Sequence, residues 1–200
     1  MTRTERNNGL QEETQRQMKV LHVGCGGSPL PSLFDGYTET RFDMDPQSGA
    51  DLIGDMLAID LPDGAVDAIY TCHTLEHVTY HDGIRALREF LRVLKPGGHA
   101  WIVVPNVGIC ADAIRDGDLL QVMYQSPAGP VTAADMIYGH QGLIERDRQD
   151  RAYRFQHRFG YTRETLAEAL RDAGFDHVGV RVSESFDLVA LGQRPTERSL

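Results

Sequence analysis

The chain has 200 residues, 41% apolar and 24% charged, with 20 basic against 29 acidic side chains and a formal net charge of −9. That length suits one domain able to bury its own core, and no apolar run reaches the ~18 to 20 residues a membrane helix needs. The negative balance opposes general nucleic-acid binding, and three widely spaced cysteines, Cys25, Cys72 and Cys110, read as free thiols instead of a disulfide or zinc framework. Residues 1–18 are polar, lack an apolar stretch of signal-peptide type and read as a lead-in, so a cytoplasmic protein is expected.

Val20 to Val23 is a buried-strand pattern delivering the chain into the turn Gly24-Cys25-Gly26-Gly27. Thr38 to Asp43, Asp51 to Ile53 and Val66 to Cys72 follow as strands. The spacing of Ile84, Leu87, Phe90, Leu91 and Leu94 predicts a helix from about Gly83 to Leu94, stopped by Lys95-Pro96-Gly97-Gly98, with a buried strand from Ala100 to Val104 after it. Residues 106–160 have weak periodicity and read as an inserted, substrate-facing cover. Within and just after them, Arg146, Arg148, Arg151, Arg154, Arg158 and Arg163 alternate with aromatic residues, a pattern most simply read as a solvated charged face beside core rings. A helix capped by Thr162 runs to Ala173, and Val178 to Val182 and Phe186 to Leu191 close the pattern as strands. Strands alternating with helices predict an open α/β sheet, whose ligands sit beyond the carboxyl ends of its strands.

Glycines after the first strand let the backbone approach a ligand closely, but Pro29 stands where a dinucleotide fingerprint wants its third glycine. A ligand without a diphosphate is therefore expected. At the end of the second strand a carboxylate can accept both hydroxyl hydrogens of a ribose; Asp43 is the first choice, Asp45 the second, and either could instead cap the turn before Pro46. Gly54-Asp55-Met56 offers a carboxylate for an adenine amino group and a thioether for its ring.

Taken together, VLHVGCGG, FDMD, IGDM, VDAIYTCHTLEHV and LREFLRVLKPGGHAWIVVP resemble class I S-adenosylmethionine-dependent methyltransferases, in particular the small bacterial type 11 group. The resemblance runs from about Val20 to Pro105, with a weaker echo from Phe159 to Phe175. It implies a single Rossmann-like domain, here 19–194 followed by a tail at 195–200, with a mostly parallel seven-stranded sheet, an antiparallel last strand, and S-adenosylmethionine as cofactor. By position, Gly24, Cys25 and Gly26 would contact the cofactor, with the two glycines passing under its methionine part. Asp43 would hold the ribose with Met44 beside the adenine, Asp55 and Met56 would contact the adenine, and His73 would lie near the sulfonium. Only 16 residues separate Gly26 from Asp43 and 11 separate Asp43 from Asp55, so the first two helices must be shortened or replaced by loops.

His73 and His77 are the candidate catalytic residues, as bases or as loop-ordering donors. His140, Arg154 and His157, in the cover, are candidate substrate contacts. The string His73-Thr-Leu-Glu76-His77 also matches a zinc-protease motif, but that motif needs one continuous helix where a strand is ending here, and no metal is expected. A small-molecule methyl acceptor is expected, with neither nucleic acid nor membrane as partner. The competing readings are a non-catalytic cofactor-binding subunit and, against Pro29, a nicotinamide-dependent oxidoreductase.

Overall fold

A computed structural model describes residues 17–126, 129–146 and 155–196. Seven strands form one sheet: β1 (Lys19–Val23), β2 (Thr38–Asp43), β3 (Leu52–Ile53), β4 (Val66–Cys72), β5 (Leu94–Val104), β8 (Asp176–Val182) and β9 (Leu188–Gln193). Their order is β3-β2-β1-β4-β5-β9-β8. The first five are parallel, and β9 inserts antiparallel between β5 and β8. The expected seven-stranded sheet with an antiparallel last strand is what forms.

Helices α1 (Tyr80–Val93) and α5 (Arg163–Ala173) pack together on one face of this sheet. Leu21, Val23, Phe42, Ile69, Leu87, Phe90, Leu166 and Leu170 meet there in the main core. Helix α1 starts three residues before the expected Gly83, because the Thr79 side chain accepts the Asp82 amide and caps a turn that carries little apolar signal. On the opposite face no helix follows β1. A single 3-10 turn, Ser32–Phe34, drops Phe34 against Trp101, with ring centroids 5.2 Å apart, and joins Val20 and Ala68 in a second, smaller core.

The Lys95-Pro96-Gly97-Gly98 stop ends α1 as expected but does not stand outside the sheet. Leu94 pairs with Val66 and His99 with Ala68, so the intervening residues form a bulge inside β5. Gly98 is obligatory there, since a Cβ would sit 2.8 Å from the Asp67 carbonyl oxygen.

Between 106 and 160 the described residues form a hairpin and short helices in place of one helix. Strands β6 (Val122–Ser126) and β7 (Gly129–Thr132) pair antiparallel, flanked by α2 (Ala111–Asp116), α3 (Ala133–Tyr138) and α4 (Gln141–Arg146). Cys110, Ala113, Val131, Ala133 and Met136 give this unit a small core of its own. Among the described residues no helix is long and apolar enough to cross a membrane.

The loop after β3 is held from α1, chiefly by Arg92. Arg92 on α1 donates to the Ile59 and Leu61 carbonyls at 2.8 and 2.7 Å, to Asp63 at 2.9 Å, and with its Nε and Nη2 to both oxygens of Glu89. Glu89 in turn accepts the Ile59 amide at 3.0 Å. Arg92 holds the Glu89 carboxyl below its ordinary range, so the charged part of this clamp is present at neutral pH and lost on acidification through that lowered value. Lysine carries the charge without the planar fork. Arg92→Lys is expected to lower the unfolding free energy by about 1–3 kcal/mol, the scale of losing charge-assisted hydrogen bonds, as read by urea denaturation.

Candidate functional site

A cleft of about 620 Å³ opens at the carboxyl ends of β1, β2 and β4. One half is built by the turn after β1 and by the ends of β2 and β3. Gly24 has φ +68° and lies so close to the loop after β4 that a Cβ would stand 2.1 Å from the Thr74 hydroxyl. A side chain there would push the two loops apart. Asp43 Oδ2 accepts the Gly26 amide at 2.8 Å and Oδ1 accepts the Asp45 amide at 2.8 Å, so this carboxylate ties the glycine turn to its own strand end. Each oxygen keeps a second lone pair for a ligand hydroxyl. Arg41, two residues earlier, donates to the Gly26 carbonyl at 2.7 Å and to that of Ser28 at 3.0 Å, bracing the same turn.

Gly24, Gly26, Asp43, Met44, Asp55, Met56 and His73, all named above as candidate cofactor contacts, line this cleft. Met44 stays 55% exposed, an apolar side chain open to a planar ring. Cys25 departs from the expectation. Its side chain is buried, away from the cleft lining, and burial pushes its thiol up from its ordinary value, so only its backbone is left to face a ligand.

The other half is built by the loop after β4 and by residues 155–158. His73 takes a left-handed backbone, φ +51°, where the strand ends, and the next residues coil into a 3-10 turn, Leu75–His77, that carries Glu76 inward. The His73 ring lies between two carboxylates, with Nδ1 3.5 Å from Glu76 Oε1 and Nε2 3.5 Å from Asp187 Oδ1. Burial pulls the imidazole down, but the partners Asp187, Cys72 and Glu76 outweigh it and hold His73 well above its ordinary value. Set between two carboxylates, His73 fits the loop-ordering donor that was one of its two expected roles.

Glu76 is 1% exposed. Burial pushes its carboxyl up, yet His73 foremost, with His77 and His157, brings it below its ordinary range. Its backbone carbonyl accepts the amides of Arg158 and Phe159 at 2.8 and 3.2 Å, docking the end of the cover onto this turn. His77 lines the cleft, and its Nδ1 faces the Gln156 carbonyl at 3.1 Å.

Of the expected substrate contacts, His157 reaches this cluster. Its Nδ1 faces the Met136 carbonyl at 2.9 Å, its ring lies 5.2 Å from that of His77, and burial lowers its pKa. His140 does not reach it; its Nδ1 accepts the Leu143 amide at 3.3 Å and serves the start of α4. Arg154 lies outside the described residues. Of the arginines in the same stretch, Arg158 reaches the cleft, beside Phe155. Sequence reasoning missed Asp187, Thr74 and Arg41, whose sole signal was polarity at strand ends.

An open sheet in this order, with its glycine turn and strand-end carboxylates around one cleft, is a Rossmann-like methyltransferase fold. Residues 21–102 match the family model described as a methyltransferase domain. It is 28% identical over 142 residues to the sterol 24-C-methyltransferase of Yarrowia lipolytica, covering 56% of this chain and 36% of that protein. With the corresponding protein of Neurospora crassa it shares 28% over 115 residues, 46% and 30% of the two chains. The matches thus span about a third of the length of these curated relatives.

Among solved structures, a SAM-dependent methyltransferase from Methanosarcina mazei superposes with a TM-score of 0.60 at 17% identity, covering 98% of this chain and 99% of that one. One from Mesorhizobium loti gives 0.58 at 16%, covering 88% and 91%. PigF with SAH gives 0.56 at 15%, covering 92% and 52%. At such identities the likeness is one of fold. The geometry of the cleft is compatible with S-adenosylmethionine: an open glycine turn, a strand-end carboxylate with spare lone pairs, and an exposed thioether.

Asp43→Ala removes the acceptor for two backbone amides as well as the proposed ribose contact. Its affinity for S-adenosylhomocysteine is expected to fall about 10–100-fold by calorimetry, the equivalent of roughly 1.4–2.8 kcal/mol. Asp43→Asn keeps one acceptor oxygen and should lose less. Wild-type affinity in Asp43→Ala would remove this residue from the cofactor site.

Proposed function

We propose that this protein transfers a methyl group from S-adenosylmethionine to a small-molecule acceptor, with residues 106–160 as the cover that faces the acceptor. The observation that carries this reading is the division of one cleft into two chemically distinct halves. Glycines and carboxylates from β1, β2 and β3 line one half, while His77, Phe155 and Arg158 line the other.

The cofactor supplies a methyl group already activated on a sulfonium, so the protein's task is chiefly to align donor and acceptor for in-line displacement. Asp43 would hold the ribose and keep the glycine turn in register through Gly26. Asp55 and Met56 would contact the adenine. On the acceptor side His73 is held charged by its two carboxylates, which leaves His77 as the histidine with a bare lone pair at the cleft wall. With Nδ1 donating to the Gln156 carbonyl, Nε2 is free to meet an acceptor. Phe155 offers a ring face and Arg158 a cation for a carboxylate or phosphate on that molecule.

Two relatives bear the name sterol 24-C-methyltransferase, which supports a small-molecule class of acceptor without extending sterols to this chain. The net charge of −9 supports the same reading against DNA or RNA.

The test is incubation with isotopically methyl-labelled S-adenosylmethionine and extract of the source cell, followed by separation by size. Label is expected in low-molecular-weight products and is expected to vanish with Asp43→Ala. Label confined to protein or RNA, or no transfer by a chain that binds the cofactor, would overturn the small-molecule reading.

A further inference from the structure

We propose that Glu76, His77 and His157 form a binding site for a divalent transition-metal ion of the zinc type in the wall of the cleft. One ligand atom from each residue lies within 4.8 Å of the others. His157 Nε2 stands 3.9 Å from Glu76 Oε1, and the two imidazole rings are 5.2 Å apart.

The hydrogen bonds behind these groups give the cluster its chemistry. His77 Nδ1 faces the Gln156 carbonyl and His157 Nδ1 faces the Met136 carbonyl. A carbonyl can only accept, so both Nδ1 atoms donate, and the Nε2 of each neutral ring presents a lone pair. A second-shell carbonyl of this kind orients histidines that ligate metals. Glu76 supplies the independent observation: its carboxylate is 1% exposed, and both of its oxygens are buried without a hydrogen-bond partner. His73 meets one of them at 3.5 Å, while Oε2 has no donor against it. Acceptors from three residues thus converge with no donor among them, an arrangement that a cation satisfies.

Two imidazoles and one carboxylate select a transition ion over magnesium or calcium, which take oxygen ligands. They also leave a fourth position open, as at catalytic zinc sites. With zinc–ligand distances of about 2.0–2.2 Å, the groups must close by roughly an ångström. His77 lines the cleft, so the open position faces the acceptor side. This rests on the methyltransferase reading and narrows it: with His77 Nε2 taken up by the ion, the acceptor presents an oxygen, a hydroxyl or a carboxylate, to the ion in place of the direct contact with His77. Because His157 enters from the cover and Glu76 and His77 from the core, the ion also fastens the two together.

The experiment uses the full chain, stripped with a chelator and titrated with zinc against a chromogenic competitor, with S-adenosylhomocysteine binding measured separately by calorimetry. One zinc per chain is expected, together with a higher melting temperature. His157→Gln and His77→Gln are each expected to weaken zinc binding at least about tenfold. His157→Gln should retain S-adenosylhomocysteine binding, and circular dichroism verifies that both histidine variants are folded, so the result does not depend on the buried Glu76. A folded chain that takes up no stoichiometric zinc overturns the site, as does a His77→Gln/His157→Gln double variant that still binds it. Zinc held by the triad in a chain that ignores S-adenosylhomocysteine upholds the metal site and removes the methyltransferase reading instead.

Discussion

Burying a carboxylate costs several kcal/mol unless neighbouring groups compensate it, and Glu76 is buried where three parts of the molecule meet. The parallel sheet delivers β4 to that point, and His73 at its end turns back toward the carboxylate. Helix α1 begins just beyond. The cover returns there too, because the Glu76 carbonyl accepts the amides of Arg158 and Phe159 and its side chain faces His157. Moving the carboxylate would separate charges and release the cover together, so the acceptor half of the cleft depends on how Glu76 is satisfied. This couples the electrostatics of the site to the placement of the segment proposed to face the acceptor.

The cofactor half rests on a different solution. In a longer α/β domain, a helix following β1 would anchor the glycine turn by its first amides. Here a 3-10 turn stands in its place, and the anchoring falls to side chains of β2. Asp43 accepts the Gly26 amide while Arg41 donates to the Gly26 and Ser28 carbonyls, so donors and acceptors of the turn are met by residues two apart on one strand, facing the same way. The loop after β3 is served likewise by Arg92 from α1. A chain with its first helices clipped keeps its cleft by replacing helix termini with charged side chains reaching across the sheet.

That substitution explains which features were legible in the sequence. Buried strands carry their signal in their own residues, so β1, β2 and β4 could be placed to within a residue, and Thr162 and Gly174 marked the ends of α5. The start of α1 was hidden because its first turn is held by the Thr79 cap and not by apolar spacing. The bulge in β5 was hidden because proline and paired glycines signal a turn, whereas pairing with β4 and β9 is a tertiary matter. In the site, the residues belonging to local motifs, such as Gly24, Asp43 and Met56, were readable. Asp187 beside His73 and His157 beside Glu76 were not paired in advance, since each contact joins segments far apart in the chain. His140 failed for the complementary reason: a histidine near the cover's centre is also a good local cap.

The balance of charge inside the cleft gives the acidic composition a specific meaning. Asp43, Asp45, Asp55 and Asp82 line it, against Arg158 and His73. Such a lining draws in a cationic sulfonium and opposes a polyanion, whatever the mean charge of the rest of the surface. It also makes Arg158 distinctive, because a lone guanidinium among carboxylates is best satisfied by an anionic group on a bound molecule or by those carboxylates themselves. In the first case the acceptor carries one negative group placed toward residues 155–158, and its oxygen-bearing end lies toward His77. In the proposed reaction the donor's positive charge disperses as the methyl group departs, so carboxylates near the cleft would bind the charged cofactor more tightly than its neutral product. The same field that gathers the donor therefore favours release of what remains of it.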